Sequence, residues 1–294
     1  MIDGALLLDK PVGPSSNGVL QEAKRLLGAR KAGHGGTLDP LASGLLLLLF
    51  GEATKFAGLL LEQDKEYLAC VKLGETTVTG DAEGEILERR EVSVDRPDLD
   101  AVLERFRGEI EQLPPMHSAL KRDGVPLYKL ARQGKAVERA SRRIRILELE
   151  VASFEPPRLN LRVRCSKGTY IRTLAEDIGA ALGTGAHLSG LRRTASGRFR
   201  IEDAVSLEAL RELPPAARSD RVLPLTALVQ GLPRAALDAQ AEARLRNGQA
   251  LEISGLAEGV VAVVRVDGAL IGLGRSEGGV LRPLRLTQAA DLAR

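Results

Sequence analysis

Apolar and polar residues alternate strictly between Leu159 and Cys165, with apolar side chains at the odd positions and polar or basic ones at the even positions. A period of two residues is that of a β-strand with one buried face, so this segment is predicted to be a strand with a polar, basic outer face. Gly168 interrupts the pattern. Beyond it, apolar residues recur at intervals of three and four from about Ile171 to Leu182, which predicts an amphipathic helix.

The N-terminal part of the chain shows both of these periods. Ala5 to Leu8 is predicted to be a short strand, and a helix with one apolar face is predicted to follow it as far as Leu27. An unbroken run of six apolar residues, Leu45 to Phe50, predicts a buried strand, and Glu66 to Leu73 predicts another. Strands and helices are therefore interspersed, and the predicted fold class is α/β in the broad sense, or α+β.

The pattern changes toward the C-terminus, where prolines mark a connector. An alanine-rich helix is predicted from Ala235 to Arg246. Strands are predicted from Val260 to Val266 and from Ala269 to Leu273, because the Asp-Gly pair between them is a strong hairpin signal. We therefore predict two domains, one over residues 1–228 and a small β-rich one over residues 229–294.

Composition and charge narrow the functional classes. The 294 residues contain 44% apolar and only 3% aromatic side chains, so the predicted core is aliphatic. The formal net charge is only +3, and nucleic-acid binding would therefore have to use local basic clusters. One such cluster is more often a solvated face, but three of them near the segments discussed below favour RNA. These clusters are Arg139, Arg142, Arg143 and Arg145; Arg162, Arg164 and Lys167; and Arg192, Arg193, Arg198 and Arg200.

The cysteines and the N-terminus bear on location and metal binding. Cys70 and Cys165 have neither CxxC spacing nor a nearby histidine, so we expect free thiols and no metal site. The N-terminus lacks the basic start of a signal peptide, and no apolar run approaches the ~20 residues of a membrane-spanning helix. We therefore expect a cytoplasmic protein that does not associate with membranes.

The glycine-rich segment from Gly33 to Gly44 carries the most suggestive chemistry, with one acid, Asp39, and one imidazole, His34. Glycines let a ligand approach the backbone closely, and Pro40 disfavours the helical region for the residue before it. One interpretation is a turn that presents the carboxylate beside the buried strand. The other is a tight turn in which Asp39 only caps a short helix beginning at Pro40.

The sequence of this segment, Gly-His-Gly-Gly-Thr-Leu-Asp-Pro-Leu-Ala-Ser-Gly, resembles that of the active-site loop of the TruB family of tRNA pseudouridine synthases. The resemblance extends from about Gly4 to about Val205, and His117 departs from it because the family usually has tyrosine there. It rests on several separated motifs: Leu7–Pro11 with Ser15–Asn17, Gly51–Lys55, Lys65–Tyr67, Gly80–Gly84, Pro114–Lys121, Cys165–Arg172, Gly185–Leu188 and Leu191–Thr194.

The resemblance implies a mixed-sheet pseudouridine synthase domain and a small C-terminal RNA-binding domain of the PUA type. It also implies an enzyme that flips a uridine out of the T loop of tRNA, at position 55, and isomerises it to pseudouridine. Asp39 would be the nucleophile and Arg172 its ion-pair partner. Tyr67 would be the ring stacked on the base or a group that assists deprotonation at C5. The implied substrate-binding residues are His34, which would fill the vacated space or hold the flipped nucleotide, Tyr170 and Leu191 at the uracil, and Lys10.

This reaction breaks and remakes bonds to one base without oxidation or phosphate transfer, so we expect no cofactor and no metal. Whether Asp39 attacks C1′ of the ribose or C6 of the base stays open at this point. We expect a monomer whose partner is the T-arm of tRNA. We also expect that removing the residues after about 230 weakens tRNA affinity more than it slows the bound reaction.

Functions of other classes stay open as well. An RNA-binding or RNA-folding protein would not need the set of Asp39, Tyr67 and Arg172. A hydrolase with an aspartate nucleophile commonly needs a second carboxylate, and none accompanies Asp39 in its motif. A relative that modifies rRNA under a guide RNA would carry extra partner-binding segments, and the sequence shows no sign of them.

Overall fold

A computed structural model describes residues 2–118, 120–122, 124–131, 133–135 and 137–288. Within these residues the largest unit is a ten-stranded sheet. Its strands are β1 (Gly4–Lys10), β2 (Ala32–His34), β3 (Ala42–Phe50), β4 (Lys65–Leu73), β7 (Gly108–Gln112), β10 (Arg142–Glu155), β11 (Arg158–Cys165), β12 (Ala186–Ser196), β13 (Phe199–Arg200) and β14 (Val205–Ser206). Eight of them follow the order β14-β1-β3-β12-β4-β11-β10-β7, with β2 paired to β3 and β13 to β12.

A second, smaller sheet is formed by the C-terminal part of the chain. Its strands are β15 (Arg234–Leu237), β16 (Leu251–Glu252), β17 (Gly259–Arg265), β18 (Leu270–Glu277) and β19 (Val280–Leu286). They follow the order β15-β17-β18-β19-β16. Two short hairpins lie outside both sheets and consist of β5 (Glu75–Thr77) with β6 (Ile86–Arg89), and of β8 (Lys121–Arg122) with β9 (Val125–Pro126).

The helices connect these strands. They are α1 (Ser16–Leu26), α2 (Ala57–Leu61), α3 (Arg96–Glu104), α4 (Leu127–Ala131), α5 (Ile171–Ala181), α6 (Leu207–Glu212), α7 (Pro215–Ser219), α8 (Leu225–Leu228) and α9 (Ala239–Arg246), with 3-10 turns at Gly51–Phe56 and Ile201–Asp203. Both sheets contain parallel pairs, β1 with β14, β3 with β12 and β15 with β17, among antiparallel ones. The predicted mixed fold of helices and sheets is therefore confirmed.

Strand β3 explains the unbroken apolar run in the sequence. Leu46, Leu48 and Phe50 pack into the core formed with helices α1, α3, α5 and α6 on one face of the central sheet. Leu45 and the other odd-numbered leucines of the run pack into a second core on the opposite face. A strand buried on both faces has no polar positions to alternate with, so the run is continuous.

Strand β11 and helix α5 agree with the patterns that predict them. The apolar positions of β11 are buried, and its three arginines are exposed. Its antiparallel partner β4 places Tyr67 opposite Val163. Helix α5 follows the turn at Gly168 and buries Leu174 and Ile178. Both predictions are confirmed.

The helix predicted from Ala235 to Arg246 is wrong in its first part. Residues 234–237 form β15, which runs parallel to β17 with Ala235 opposite Val263. Asp238 then caps α9 by accepting a hydrogen bond from the Ala241 amide at 2.8 Å. Alanine is the best helix former, but intrinsic propensity is small, and pairing with a buried strand outweighs it here.

The second sheet packs against the back of the central sheet. Leu270 and Leu273 of β18 belong to the same apolar cluster as Leu45, Leu47 and Phe56. The C-terminal part is β-rich, as the sequence predicts. The predicted boundary between residues 228 and 229 stays a prediction, and residues 289–294 of the predicted second domain lie outside the described part of the chain. Among the described helices, none is both long and apolar enough to cross a membrane.

Candidate active site

Asp39 lies on the loop of residues 35–41 that joins β2 to β3. The Ala42 amide donates to the Asp39 carbonyl at 3.1 Å, which closes a turn, and β3 begins at once at Ala42. The alternative in which Asp39 caps a helix beginning at Pro40 is therefore wrong. The carboxylate is 43% exposed, so the turn presents it to solvent at the edge of a buried strand.

Two buried polar side chains hold the backbone on either side of Asp39. The Ser16 hydroxyl, from the first residue of α1, donates to the Leu38 carbonyl at 2.7 Å and accepts from the Leu38 amide at 2.8 Å. The Lys10 ammonium donates to the Ala42 carbonyl at 2.6 Å. A loop that is fixed at both ends can keep its reactive group in one place.

The structure corrects the predicted role of Lys10. Its side chain is 0% exposed, and its ammonium group also donates to the carbonyls of Pro11 and, at 3.5 Å, Pro40. Lys10 therefore has no surface open to a substrate in this structure, and its contacts are with the backbone around Asp39. Burial lowers the pKa of Lys10 to about 8, against the effect of the nearby Asp39 carboxylate.

Arg172 is the centre of the polar contacts around Asp39. Its Nε lies 3.0 Å from Asp39 Oδ2, as the resemblance implies. Its other two nitrogens donate to the carbonyls of Thr79 at 3.1 Å and His117 at 2.7 Å. The side chain is only 5% exposed, so it is not a solvated charge at the start of α5. His117 contributes its main-chain carbonyl here, so this contact does not depend on whether histidine or tyrosine occupies the position.

Asp81 is a member of this site that the sequence did not single out. It is 3% exposed, and its Oδ2 lies 3.6 Å from Arg172 Nε. Its Oδ1 accepts hydrogen bonds from the Thr79 hydroxyl and the Glu83 amide. The available signal was the Gly80–Gly84 motif, which the resemblance includes without giving it a role.

The second acid bears on the hydrolase alternative. The fold supplies a carboxylate that the motif around Asp39 lacks, so the argument from the motif alone is incomplete. Asp81 is nevertheless buried and faces the guanidinium of Arg172. A glycosidase needs its second carboxylate at the sugar or at an attacking water, and a buried carboxylate does not reach either.

Tyr67 lies on β4 with most of its surface in the core. It stands opposite Arg193 on β12 and opposite Val163 on β11. Burial raises the pKa of its phenol, and the neighbouring Arg193 only partly opposes this effect. The phenol therefore stays protonated at neutral pH, which favours stacking on a base over a role as proton acceptor.

Tyr170 immediately precedes helix α5 and is held from two sides. Its amide donates to Gln112 Oε1 at 2.8 Å, and its carbonyl accepts from Gln112 Nε2 at 3.0 Å. The guanidinium of Arg142 lies over its ring, 4.8 Å from the ring centre. The ring is half-buried two residues before Arg172, where a wall of the site is expected.

His34 and Leu191 lie on β2 and β12, two strands that both pair with β3. His34 ends β2, directly before the loop of Asp39, and its Nδ1 is buried with no hydrogen-bond partner in the described structure. Burial and the charge of Arg193 lower its pKa, so its ring is neutral at pH 7. Leu191 on β12 is half-buried and pairs with Ala42 on one side and Ala69 on the other.

The predicted basic clusters differ in how far acids neutralise them. Arg164 pairs with Glu148 at 2.8 Å and Arg192 with Asp9 at 2.7 Å, while Lys167 pairs with Glu62. Arg193 is buried, which corrects its predicted place in a surface cluster. Arg139 and Arg142 have no acidic partner among the residues described, and guanidinium nitrogens of both lack any hydrogen-bond partner there.

The described residues also bear on metal binding. No group of three or more histidine, cysteine or acidic side chains that could hold a metal ion occurs among them. Cys70 is exposed and Cys165 is buried, and both are free thiols.

Comparison with protein-family models matches nearly the whole chain. Residues 24–171 match the model described as "TruB family pseudouridylate synthase (N terminal domain)". Residues 172–235 match "tRNA pseudouridylate synthase B C-terminal domain", and residues 233–287 match "Pseudouridine synthase II TruB, C-terminal".

Curated proteins and solved structures give consistent matches. A protein of Azoarcus sp. (strain BH72) named "tRNA pseudouridine synthase B" is 55% identical over 97% of this chain and 95% of its own length. A protein of the same name from Burkholderia lata is 54% identical over 99% of this chain and 92% of its own length. A chain of the structure described as "Crystal Structure of a Cbf5-Nop10-Gar1 Complex" superposes with a TM-score of 0.75 at 29% identity, covering 98% of this chain and 84% of that one.

Proposed function

Because the chain belongs to the TruB family of pseudouridylate synthases, we propose that it isomerises uridine to pseudouridine in the T loop of tRNA, at position 55. The observation that carries the proposal is the ion pair of a half-exposed Asp39 with a buried Arg172 on a loop fixed at both ends. The curated relatives at 54–55% identity are named for activity on tRNA, which supports the choice of substrate.

The reaction exchanges one bond to the ribose for another. The bond between N1 of uracil and C1′ breaks, the ring turns, and C5 bonds to C1′. The C5 hydrogen then leaves as a proton, and N1 gains a proton, so nothing is oxidised or reduced. Asp39 is the nucleophile, either at C1′ of the ribose or at C6 of the base.

The other side chains of the site orient the base and the carboxylate. Arg172 holds Asp39 in place through its ion pair. Tyr67 stacks on the flipped uracil, while Tyr170 and Leu191 form the walls around it. A flipped nucleotide loses stacking energy of a few kcal/mol, and contacts of this kind return it. His34 fills the space that the base vacates or holds the flipped nucleotide.

Arg139 and Arg142 support an RNA substrate, since neither pairs with a carboxylate among the described residues and Arg142 lies over the ring of Tyr170. Phosphate oxygens are the acceptors that such donors bind best. The few aromatic residues argue against a platform for single strands, so recognition of a folded RNA by its shape fits better.

The solved neighbours suggest a second substrate class, because one is described as an "H/ACA RNP bound to a substrate RNA". That chain is 29% identical to this one, whereas the curated relatives named for tRNA are 54–55% identical. We therefore favour tRNA. We also propose a cytoplasmic monomer, with residues 1–228 as the catalytic domain and residues 229–294 as a PUA-like domain that binds RNA.

The experiment is release of tritium from tRNA that carries [5-³H]uridine, under single-turnover conditions, with tRNA affinity measured in parallel. The wild type should release the label. Asp39→Asn should slow release by more than about 10³-fold, the scale on which loss of a nucleophile acts, with tRNA still bound. Asp9→Asn is the matched control, since Asp9 is another partly exposed aspartate that pairs with an arginine, Arg192.

Each alternative gives its own result in this experiment. Binding without tritium release by the wild type would contradict the proposal and favour an RNA-binding protein. Free uracil among the products would indicate a hydrolase. Equal rates for the wild type and Asp39→Asn would leave isomerisation standing but remove Asp39 from its centre.

A further inference from the structure

Arg193 is an unusual arginine because it is buried without an acidic partner. It lies on β12 in the middle of the central sheet and is 2% exposed. Its neighbour Arg192 carries an ion pair with Asp9, but no carboxylate of the described residues lies within ion-pair distance of Arg193. A buried guanidinium is costly unless its donors are satisfied, so what satisfies them indicates what it is for.

Its guanidinium bonds to main-chain carbonyls that precede and follow Asp39 in the sequence. Nε donates to the Leu45 carbonyl at 2.7 Å. The other two nitrogens lie 3.3 Å from the Thr37 carbonyl and 3.5 Å from the Gly36 carbonyl. One rigid, planar group therefore joins the start of the catalytic loop to the strand that follows it.

The backbone of Arg193 is equally confined. It pairs with Gly44 on β3 and with Tyr67 on β4. Gly44 has a φ of +101°, and a Cβ at that position would lie 2.3 Å from the Arg193 carbonyl oxygen. Only glycine permits so close an approach, so the strand carrying Arg193 is seated directly against the strand that follows Asp39.

Arg193 also interacts with the tyrosine of the site. Arg193 pairs with Tyr67 across β12 and β4, and the charge of its guanidinium opposes the effect of burial on the pKa of the phenol. The same residue thus bonds to the backbone around the nucleophile and lies beside the tyrosine expected to stack on the base. Ser16 and Lys10 donate to the carbonyls of Leu38 and Ala42, on either side of Asp39.

We propose that Arg193 is a positioning residue, which fixes the loop of Asp39 relative to Tyr67 and makes no contact with RNA. The proposal rests on the proposed isomerase function. The sequence analysis instead places Arg193 in a basic cluster expected to bind RNA, and the positioning role replaces that expectation. A misplacement of about 1 Å can slow an enzymatic step about 10²-fold. If loss of the Arg193 bonds lets Asp39 shift by that distance, the reaction slows by that factor.

The test compares Arg193→Met, which keeps much of the side-chain volume, with Arg193→Lys, which keeps the charge and one donor group. The rate of tritium release at saturating tRNA should fall about 10²-fold for Arg193→Met and less for Arg193→Lys. The dissociation constant for tRNA should stay within about twofold of the wild type, because no phosphate contact is lost.

Arg218→Met is the matched control. Arg218 is a half-buried arginine whose three nitrogens likewise donate to carbonyls, those of Leu210, Leu26 and Arg211, at a place remote from Asp39. Its loss should leave the rate at saturation unchanged even if thermal stability falls. A positioning effect is thereby separated from a general loss of stability.

The opposite pattern would overturn the proposal. If the variants of Arg193 bind tRNA more weakly but react at the wild-type rate when saturated, Arg193 contacts RNA instead. If neither variant folds, the rate of hydrogen exchange at Arg193 Nε is measured in the wild type with and without tRNA. A rate that stays slow in both supports the proposal. A rate that changes when tRNA binds indicates that RNA is the partner of Arg193. A wild type that releases no tritium would refute the proposed function, a result separate from all of these.

Discussion

Lys10 has a fully buried ammonium group whose hydrogen-bond partners are main-chain carbonyls. Burial lowers its pKa to about 8. The unfolded chain keeps the ordinary pKa of 10.5, so between about pH 8 and 10.5 the unfolded state binds more protons than the folded one. The contribution of Lys10 to stability therefore rises with pH across this window.

The same titration should affect the reaction in the opposite direction. When Lys10 loses its proton, its bonds to the carbonyls beside Asp39 lose their charge and weaken. We expect the rate at saturating tRNA to fall above a pH of about 8. The measurement is the pH dependence of tritium release between pH 6.5 and 9.5, with tRNA at saturation throughout.

Two variants distinguish Lys10 from other groups that titrate in this range. Lys10→Met should be slower at pH 7 and should lose the alkaline decline. Lys65 is the matched control, because burial lowers its pKa also to about 8 while its ammonium group bonds to carbonyls at the end of α2, away from Asp39. An alkaline decline that persists in Lys10→Met and disappears in Lys65→Met would contradict this assignment.

Sequence reasoning finds some residues of the site and misses others for one physical reason. Asp39 stands out because it is the single acid in a glycine-rich motif, and Arg172 lies in a motif of its own. Asp81 and Arg193 matter through contacts with residues far away in the sequence. Such contacts depend on sheet register, which local patterns do not encode. The burial of Lys10 likewise comes from the fold and has no local sequence signal.

At the scale of single elements, the start of β10 separates two adjacent arginines. Arg142 turns toward Tyr170 and stacks on its ring, whereas Arg143 is 82% exposed and lies 3.8 Å from Glu111. Alternation along a strand sends neighbouring side chains to opposite faces. Of the two, Arg142 therefore lies beside the site, and it has no acidic partner among the described residues.

We expect Arg142→Ala to weaken tRNA binding about tenfold and to reduce the slope of log affinity against log salt by about 1, as loss of one phosphate contact does. The measurement is tRNA affinity at several salt concentrations. Arg143→Ala is the control and should change both quantities much less. Equal effects of the two substitutions would show that general positive charge, and not the face toward Tyr170, determines binding.

The sequence predicts strands whose burial produces a local pattern, and it misses those that depend on a distant partner. Strand β11 is buried on one face and alternates, whereas β3 is buried on both faces and is continuously apolar. The abundance of alanine places residues 235–237 in the predicted helix. Their strand conformation depends on pairing with β17, more than twenty residues later, and no local signal announces that pairing.

At the scale of the whole molecule, the second sheet completes a core of the central one. Leu45, Leu47 and Leu49 lie on the face of β3 that points toward the second sheet. The loop of Asp39 joins the N-terminal end of the same strand. The second sheet contributes Leu270 and Leu273 to the same cluster, together with further side chains of β17. The two sheets therefore share one apolar interior in addition to the tether between them.

This shared interior changes the expectation for a chain shortened to residues 1–228. Complete burial of one large aliphatic side chain is worth about 1.5–3 kcal/mol, and domains are stable by only about 5–15 kcal/mol. Exposing the back of β3 should therefore lower the melting temperature and slow the reaction of bound tRNA, in addition to weakening affinity. Thermal unfolding followed by circular dichroism checks this, with Leu273→Asp placing a charge in the interface and Val266→Asp, at an exposed turn, as its control. A shortened chain that melts like the full chain and loses only tRNA affinity would instead identify the second sheet as a separate binding module.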